Sequence, residues 1–267
     1  MEKPEFSIII VSYNTSDVLE VCLDSIFQSK EHNFEVVVID NNSSDDSVEM
    51  IRENFKDVVL IQNSQNLGFA KAVNQGLKKA KGDFYLLLNP DAKVKNGAIK
   101  KLIDFAKRQR NLGAVGGKLI NTDGTIQASC YNLPSVKNAI LEFWLGKKGA
   151  FEKYYPKSSK PVEVESIVGA AMLIPMKAIE QIGYFDERFF MYYEDLDWCR
   201  RAKRLKLKIF WHPDSQFIHL HGWVASKVSQ LSSNRLRKSS KIYNGLLKYF
   251  LLYSIIFFGQ KFRGRKE

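Results

Sequence analysis

The sequence predicts an α/β protein: a mostly parallel sheet covered by helices on both faces. Two observations carry this. Through the first ninety residues, short continuous apolar runs of strand length alternate with segments of helical spacing, the pattern left by crossover connections. Each apolar run also ends in a polar cluster: "SYN" at 12–14, "DNNSSD" at 40–45, "NSQNLGF" at 63–69 and "NPDA" at 89–92. Ligands on open α/β sheets bind outside the carboxyl ends of the strands, which is where these clusters fall.

The elements follow in order. Phe6 to Ser12 ("FSIIIVS") reads as a fully buried strand. Ser16 to Gln28 has Val18, Leu19, Cys22, Leu23 and Ile26 on one helical face, with Ser16 as the N-cap. Phe34 to Asp40 is the second strand. Ser44 to Phe55 is the second helix, with acids in its first turn, where the helix dipole favours them. Val58 to Gln62 is a short strand, Ala70 to Ala80 a helix ending before Gly82, and Phe84 to Leu88 a strand. Beyond these, Asn96 to Gln109 is helical with Leu102, Ile103, Phe105 and Ala106 inward, and Gly113 to Ile120 is a glycine-rich strand. Residues 129–161 show no clean period and read as a mobile or ligand-shaped insertion. Val164 to Ile174 reads as one buried strand, Lys177 to Ile182 as a short helix stopped by Gly183, and "LKIFW" as a strand leading to "FIHLHGW".

A chain of 267 residues, 45% hydrophobic and 26% charged, suits one large folded domain with at most a small appendage. The formal charge of +11 favours anionic partners: phosphorylated ligands, anionic lipid or nucleic acid. Cys22, Cys130 and Cys199 are widely spaced with no CxxC pair, so neither a zinc site nor a disulfide framework is indicated, and a reducing compartment fits. The first residues lack a small-residue cleavage site and read as a strand rather than a signal peptide.

Several residue groups are suited to chemistry. Asp40 closes an apolar strand, where its carboxylate can accept from a base N–H or ribose hydroxyl; an Asx-turn is the plainer reading. Gly68 opens a helix whose N-terminus offers N–H groups to an anion, though the stretch is neither GxGxxG nor a P-loop. Asp91 sits after Pro90, where a carboxylate can hold Mg²⁺ or Mn²⁺ if a second ligand joins it. Glu194, Asp195 and Asp197 precede Arg200, Arg201, Lys203 and Arg204, which is the order a helix dipole favours. The aromatic run Phe189, Phe190, Tyr192 and Tyr193 leads into these acids and would raise a carboxylate pKa toward that of a useful base. His219 and His221, two apart on an extended chain, point to one side, and either can complete a metal shell with Asp91.

The ordered set "IIIVSYN", "VVVIDNNSSD", "NLGFAKAVNQG", "LLLNPDA", "VGAAMLI", "GYFDERFFMYYEDLDWCRR" and "IHLHG" resembles the family 2 glycosyltransferases of GT-A fold, in particular the rhamnosyltransferase-like branch of bacterial cell-surface polysaccharide synthesis. The resemblance implies a nucleotide-sugar donor, a divalent cation (Mg²⁺ or Mn²⁺), inversion at the anomeric carbon, and a glycan or polyprenyl-linked acceptor. Carried over by position, it implies that Ser12, Asn14 and Asp40 line the nucleoside, and that Asn66, Gly68, Lys71 and Asn74 lie along the nucleotide. Asn89 and Asp91 stand at the first and last positions of the family's Asp-x-Asp metal motif. Asp195 is the implied general base, and His219 the implied additional metal ligand, with His221 as rival. Many relatives have an arginine pair after the "GAAMLI" strand, where this chain has Pro175, Met176 and Lys177, so acceptor contacts do not transfer there.

This divides the chain into a transferase domain over 1–225, with a nucleotide half at 1–92 and an acceptor half at 93–225, and a basic tail over 226–267. The tail's apolar run, "YFLLYSIIFFG", is short of the roughly 20 residues of a membrane span. Its basic flanks and aromatic rings suit a helix lying on an anionic membrane surface, at the cytoplasmic face; packing on the domain or at a homodimer interface is the alternative. Two other functions compete with this reading. A nucleotidyltransferase needs a Gly-rich basic loop after the first strand, and "VSYNTSD" is not one. A nucleic-acid binder would use the positive charge in salt-sensitive binding.

Overall fold

The computed structural model of the protein describes residues 3–29, 31–133 and 152–220. His221, the tail and the middle of the insertion lie outside the described residues. The first half follows the expected alternation. Strands β1 (Phe6–Ser12), β2 (Phe34–Asp40), β3 (Val59–Gln62) and β4 (Phe84–Leu88) alternate with helices α1 (Ser16–Phe27), α2 (Ser47–Asn54) and α3 (Phe69–Lys79). They pair in the order β3-β2-β1-β4, all parallel. Ser12 lies opposite Asp40 and Asp40 opposite Gln62, so the carboxyl ends share one edge.

Helix α1 buries the expected Val18, Leu19, Cys22, Leu23 and Ile26, but its N-cap is Thr15 rather than Ser16. Helix α2 starts three residues later than its spacing suggests. Asp40 Oδ2 accepts from the Asn42 and Ser43 N–H groups, and Asp45 Oδ1 from the Ser47 N–H. These side chains give the backbone an alternative to helical bonds and hold 40–46 as turns.

The second half is built from β5 (Ala92–Val94), α4 (Ala98–Lys107), β6 (Leu112–Ile120), β7 (Cys130–Tyr131), β8 (Val162–Val164), β9 (Ser166–Ile167), β10 (Ala171–Pro175), α5 (Met176–Ile182), α6 (Glu194–Arg204) and β11 (Lys208–His219). The sheet continues from β4 through β10, β6, β11 and β5, with β8 on β11. Here it is mixed: β10 runs antiparallel to β4 and β6, and β5 and β8 antiparallel to β11, while β11 and β6 are parallel. The single strand expected over 164–174 is three pieces. Residues 168–170 leave the sheet because their backbone groups bond to Ser129, Asp195 and Asn89. The glycines of β6 have a packing cause: a Cβ on Gly117 would stand 2.4 Å from the Phe217 ring.

The core lies on both faces of the sheet. One layer packs α1, α2 and α4 against Ile8, Ile10, Val36, Leu86 and Phe217. The other packs α3, α5 and α6 against Ile9, Val37, Leu87, Met172 and Trp211. Trp198 anchors α6 in this second layer, fully buried with Nε1–H donating to Gly183 O at 3.2 Å. Burying a large apolar side chain of this kind stabilises by about 1.5–3 kcal/mol. The Pro175–Lys177 stretch lies at the far end of the sheet: Pro175 pairs with Phe84, the first residue of β4, whereas Ala171 pairs with Leu88 at the edge where the polar loops gather.

Candidate active site

At the carboxyl edge of the parallel strands, Asp40 has two different oxygens. Oδ2 makes the Asx-turn described above, while Oδ1 is buried with no hydrogen-bond partner among the described residues. The turn reading and the binding reading therefore apply to different atoms of one carboxylate. The flanking loops are knitted together: Asn14 Oδ1 accepts from Ser44 N–H at 2.7 Å, and Asn41 Nδ2 donates to Gly68 O at 3.2 Å. Gly68 has φ +86°, and a Cβ there would meet Phe190 O at 2.4 Å. Only glycine combines that backbone with that contact.

The start of α3 is less open than its sequence suggests. The Phe69 N–H donates to Phe190 O at 2.6 Å and the Gly68 N–H to Asn66 Oδ1 at 2.9 Å, so two N–H groups expected to await an anion already have partners. Two residues expected to face a nucleotide are enclosed. Ser12 is fully buried, its hydroxyl 2.9 Å from that of Thr15. Asn74 is 2% exposed; its amide bonds both backbone groups of Phe185 and the Glu187 carboxylate. It pins the segment that leads to the Glu-Asp pair. Lys71 is exposed on α3.

The opening pair of the second constellation is Asp91 and His219. They are 130 or so residues apart in sequence yet adjacent in space, because His219 ends β11 opposite Ala92 and the Leu220 N–H donates to Asp91 O. Asp91 Oδ1 lies 3.3 Å from His219 Nε2, and the two residues are 4% and 7% exposed. Asp91 Oδ1 has no hydrogen-bond partner among the described residues. Asn89 Nδ2 is 3.1 Å from the same Nε2, and Gln127 Oε1 is 2.7 Å from Nδ1. A buried carboxylate oxygen beside an imidazole nitrogen suits a small divalent cation, whose cis ligands stand about 3 Å apart when its bonds are about 2.1 Å. Among the described residues no third His, Cys, Asp or Glu joins them.

Asp195 lies at the start of α6. Its Oδ2 accepts from Gly169 N–H at 3.1 Å and its Oδ1 from its neighbour Leu196 N–H at 2.8 Å. Loss of solvent raises its pKa, while these two N–H groups and the Lys153 ammonium pull it down. Glu194 beside it is buried, with no hydrogen-bond partner to Oε2 among the described residues; burial first, and the Asp195 charge second, push its pKa well up. Tyr192 and Tyr193 have φ of 70° and 71°, a left-handed pair of non-glycine residues immediately before the acids, and such backbone stores of order 1–3 kcal/mol per residue. Loop 168–170 links the two constellations, since the Asn89 N–H donates to Ala170 O at 3.0 Å while Gly169 holds Asp195.

Residues 7–183 match the model of the family described as "Glycosyl transferase family 2". The chain belongs to glycosyl transferase family 2. Relatives of this transferase include an N-acetylglucosaminyl-diphospho-decaprenol L-rhamnosyltransferase of Mycobacterium tuberculosis, 27% identical over 255 residues, covering 88% of this chain and 82% of that protein. The dTDP-rhamnosyl transferase RfbF of Shigella flexneri is 26% identical, covering 82% and 70%. The fold matches GalNAc-T7, solved with UDP, GalNAc and Mn²⁺, at TM-score 0.64 and 16% identity over 83% of this chain and 45% of that one. It also matches a Pyrobaculum calidifontis mannosyltransferase in complex with GDP-Man and Mn²⁺, at TM-score 0.60 and 19% identity over 86% and 61%. The transferase has the GT-A architecture and is rhamnosyltransferase-like, as its motifs imply.

Four residues of the transferase's site went unmarked in the sequence reading. Tyr131 packs near Asp195, its pKa pushed up to about 12 by burial and then by the Asp195 charge. Lys153 Nζ lies 5.5 Å from the Tyr131 ring centroid. Both fall in the insertion, whose ends are fixed rather than mobile: Cys130 and Tyr154 exchange two backbone hydrogen bonds of 2.9 Å. Gly169 and Gln127 complete the four. The Asp123–Gly124 pair marks a tight turn and places Gln127 back alongside β6, where its N–H donates to Leu119 O. That turn signal was the available clue.

Proposed function

We propose that this transferase is inverting and divalent-cation dependent. It moves a sugar from a nucleoside-diphosphate donor, of the dTDP-rhamnose or UDP-hexose type, to a hydroxyl of a lipid-linked acceptor in cell-surface polysaccharide synthesis. The observation that carries this is the Asp91–His219 pair, a buried carboxylate oxygen without a hydrogen-bond partner 3.3 Å from a ring nitrogen, linked through loop 168–170 to a carboxylate of raised pKa. The names of the rhamnosyltransferase relatives support the donor and acceptor classes, and the Mn²⁺-bound complexes of like fold support the cation.

In this reading the orphaned Asp40 Oδ1 accepts from the nucleoside, and Asn14, Asn66, Gly68 and Lys71 border the donor. Asp91 and His219 would hold Mg²⁺ or Mn²⁺, with Asn89 beside them, and the cation would supply charge to offset that developing on the departing diphosphate. Asp195 takes the proton from the acceptor hydroxyl as that oxygen attacks the anomeric carbon. Its two N–H partners fix both oxygens while leaving each a lone pair. Attack from the face opposite the diphosphate inverts the centre in one displacement, so a single carboxylate base suffices. Ten Lys and Arg against one acid over 226–267 support contact of that segment with an anionic membrane surface, at the cytoplasmic face.

The test is a thermal-shift screen of dTDP, UDP and GDP with and without Mn²⁺, followed by product analysis with the best donor. Stabilisation by one nucleotide that deepens with Mn²⁺, and a product of inverted configuration, are expected. No stabilisation by any of the three would sink the donor reading, and a retained configuration the single-displacement mechanism.

A further inference from the structure

The hairpin after β6 carries a run of side-chain hydrogen bonds whose direction is fixed from its exposed end. Asp123, on the turn, is an acceptor when ionised, and the Thr125 hydroxyl, its closest partner, holds its carboxyl below the ordinary value. Thr125 Oγ1 donates to Asp123 Oδ1 at 2.6 Å. With its proton committed, that hydroxyl accepts from Asn121 Nδ2 at 2.9 Å. Asn121 Oδ1 is thereby turned to accept from Gln127 Nε2 at 3.0 Å. Gln127 Oε1 is thereby turned to His219, 2.7 Å from Nδ1. An amide oxygen cannot donate, so the proton between them belongs to Nδ1. A neutral imidazole protonated there carries its lone pair on Nε2, which accepts from Asn89 Nδ2 at 3.1 Å and lies 3.3 Å from Asp91 Oδ1, so a cation bound there would take the place of the Asn89 N–H.

We propose that Asp123, Thr125, Asn121 and Gln127 form a polarity relay that sets the tautomer of His219 and so presents Nε2 as an electron-pair donor to a divalent cation beside Asp91. Gln127 is then a positioning residue. Were its amide reversed, Nε2–H of Gln127 would face Nδ1, the imidazole proton would move to the other nitrogen, and the ring would offer the cation a hydrogen instead of a lone pair. Because Gln127 and His219 are both buried, bulk water does not readily replace the amide. The cation half of this proposal rests on the proposed function above; the tautomer half does not.

The two halves are read separately. With only four histidines in the chain, long-range ¹H–¹⁵N correlation on the metal-free protein can report the His219 tautomer directly. The wild type is expected to show the Nδ1–H pattern. Gln127→Leu, which offers no acceptor, is expected to lose it, and Gln127→Glu, which accepts from the same N–H, to restore it. Asn121→Leu, at a half-buried turn position, releases the Gln127 amide and is expected to give the same loss, serving if Gln127→Leu does not fold. An Nε2–H pattern in the wild type, or unchanged spectra in both leucine variants, would overturn the relay. In the second arm Mn²⁺ is titrated with UDP present and free Mn²⁺ is read by EPR. Gln127→Leu is expected to weaken binding roughly 10–100-fold, the usual effect of losing a ligand's hydrogen-bond partner, and Gln127→Glu to bind near the wild type. Equal affinity in wild type and Gln127→Leu would overturn the cation half. A wild type that binds no Mn²⁺ while showing the Nδ1–H pattern would overturn that half together with the reading it rests on, and leave the tautomer result standing.

Discussion

Asp91 and Asp195 are two carboxylates linked through one loop, but their surroundings differ. Among the described residues, Asp91 has an oxygen without a hydrogen-bond partner that faces a ring nitrogen. Both oxygens of Asp195 receive backbone N–H groups, and its pKa is raised by burial. An unsatisfied buried acceptor is costly unless a cation or proton reaches it, so Asp91 suits a ligand site. A carboxylate held in place yet reluctant to ionise suits a base. The difference teaches that acid count at a sheet edge says little; what each oxygen already touches says more.

Substitutions that break this contrast should rank by size. Asp195→Asn removes the proposed base while keeping the shape; turnover should fall roughly 10²–10⁴-fold, with nucleotide and Mn²⁺ binding by calorimetry unchanged. Asp91→Asn should act on the other side. Mn²⁺ affinity in the presence of UDP should fall by at least roughly the 10–100-fold seen for losing a supporting partner, with the Asp195 pH profile keeping its shape.

Asn74→Ala sharpens the separation of site from scaffold. It leaves the Phe185 N–H and the Glu187 carboxylate without their amide partner. Stability should drop by roughly 1–3 kcal/mol, seen as a Tm several degrees lower, with donor affinity little changed in the folded fraction. Glu194→Gln should raise Tm at neutral pH. The folded-state pKa of Glu194 lies above its ordinary value, so its contribution to stability is fully present below the ordinary carboxylate range and is lost as pH rises through the raised value. The variant's advantage should therefore vanish on acidification and grow toward neutrality; a Tm difference independent of pH would contradict the assignment. The smallest effect is expected from Lys153→Met. Lys153 lowers the Asp195 pKa, so its removal should move the acid limb of the rate profile to higher pH without changing the plateau.

The parallel half was legible in the sequence because continuous apolar runs and period-3.6 segments are local signals: β1, β2, β4 and α3 lie within a residue or so of where their patterns place them. The second half was less so. Residues 167–174 are apolar throughout, and apolarity alone does not reveal that 168–170 leave the sheet to bond Ser129, Asp195 and Asn89. In the site, residue chemistry pairs Asp91 with either His219 or His221 and the resemblance favours His219; the structure brings Asp91 and His219 to 3.3 Å, while His221 lies outside the described residues. Gln127 could not be found that way, since its importance lies in a hydrogen bond to a residue 92 positions away. Ser12 and Asn74 occupy motif positions, yet their side chains turn inward to Thr15 and Phe185, a direction that a motif does not encode.

The contact between Gly68 and Phe190 has a consequence for exchanging parts between relatives. The loop at 66–69 and the segment at 185–193 share a hydrogen bond from Phe69 to Phe190, a steric limit at Gly68 and an amide clamp from Asn74. A donor loop grafted from another transferase therefore carries a requirement for its own version of the downstream segment. If transplanted alone, it would meet a mismatched neighbour and displace the strained tyrosines that introduce Asp195. The two stretches are separated by more than a hundred residues of chain, but for chimera design they form one cassette.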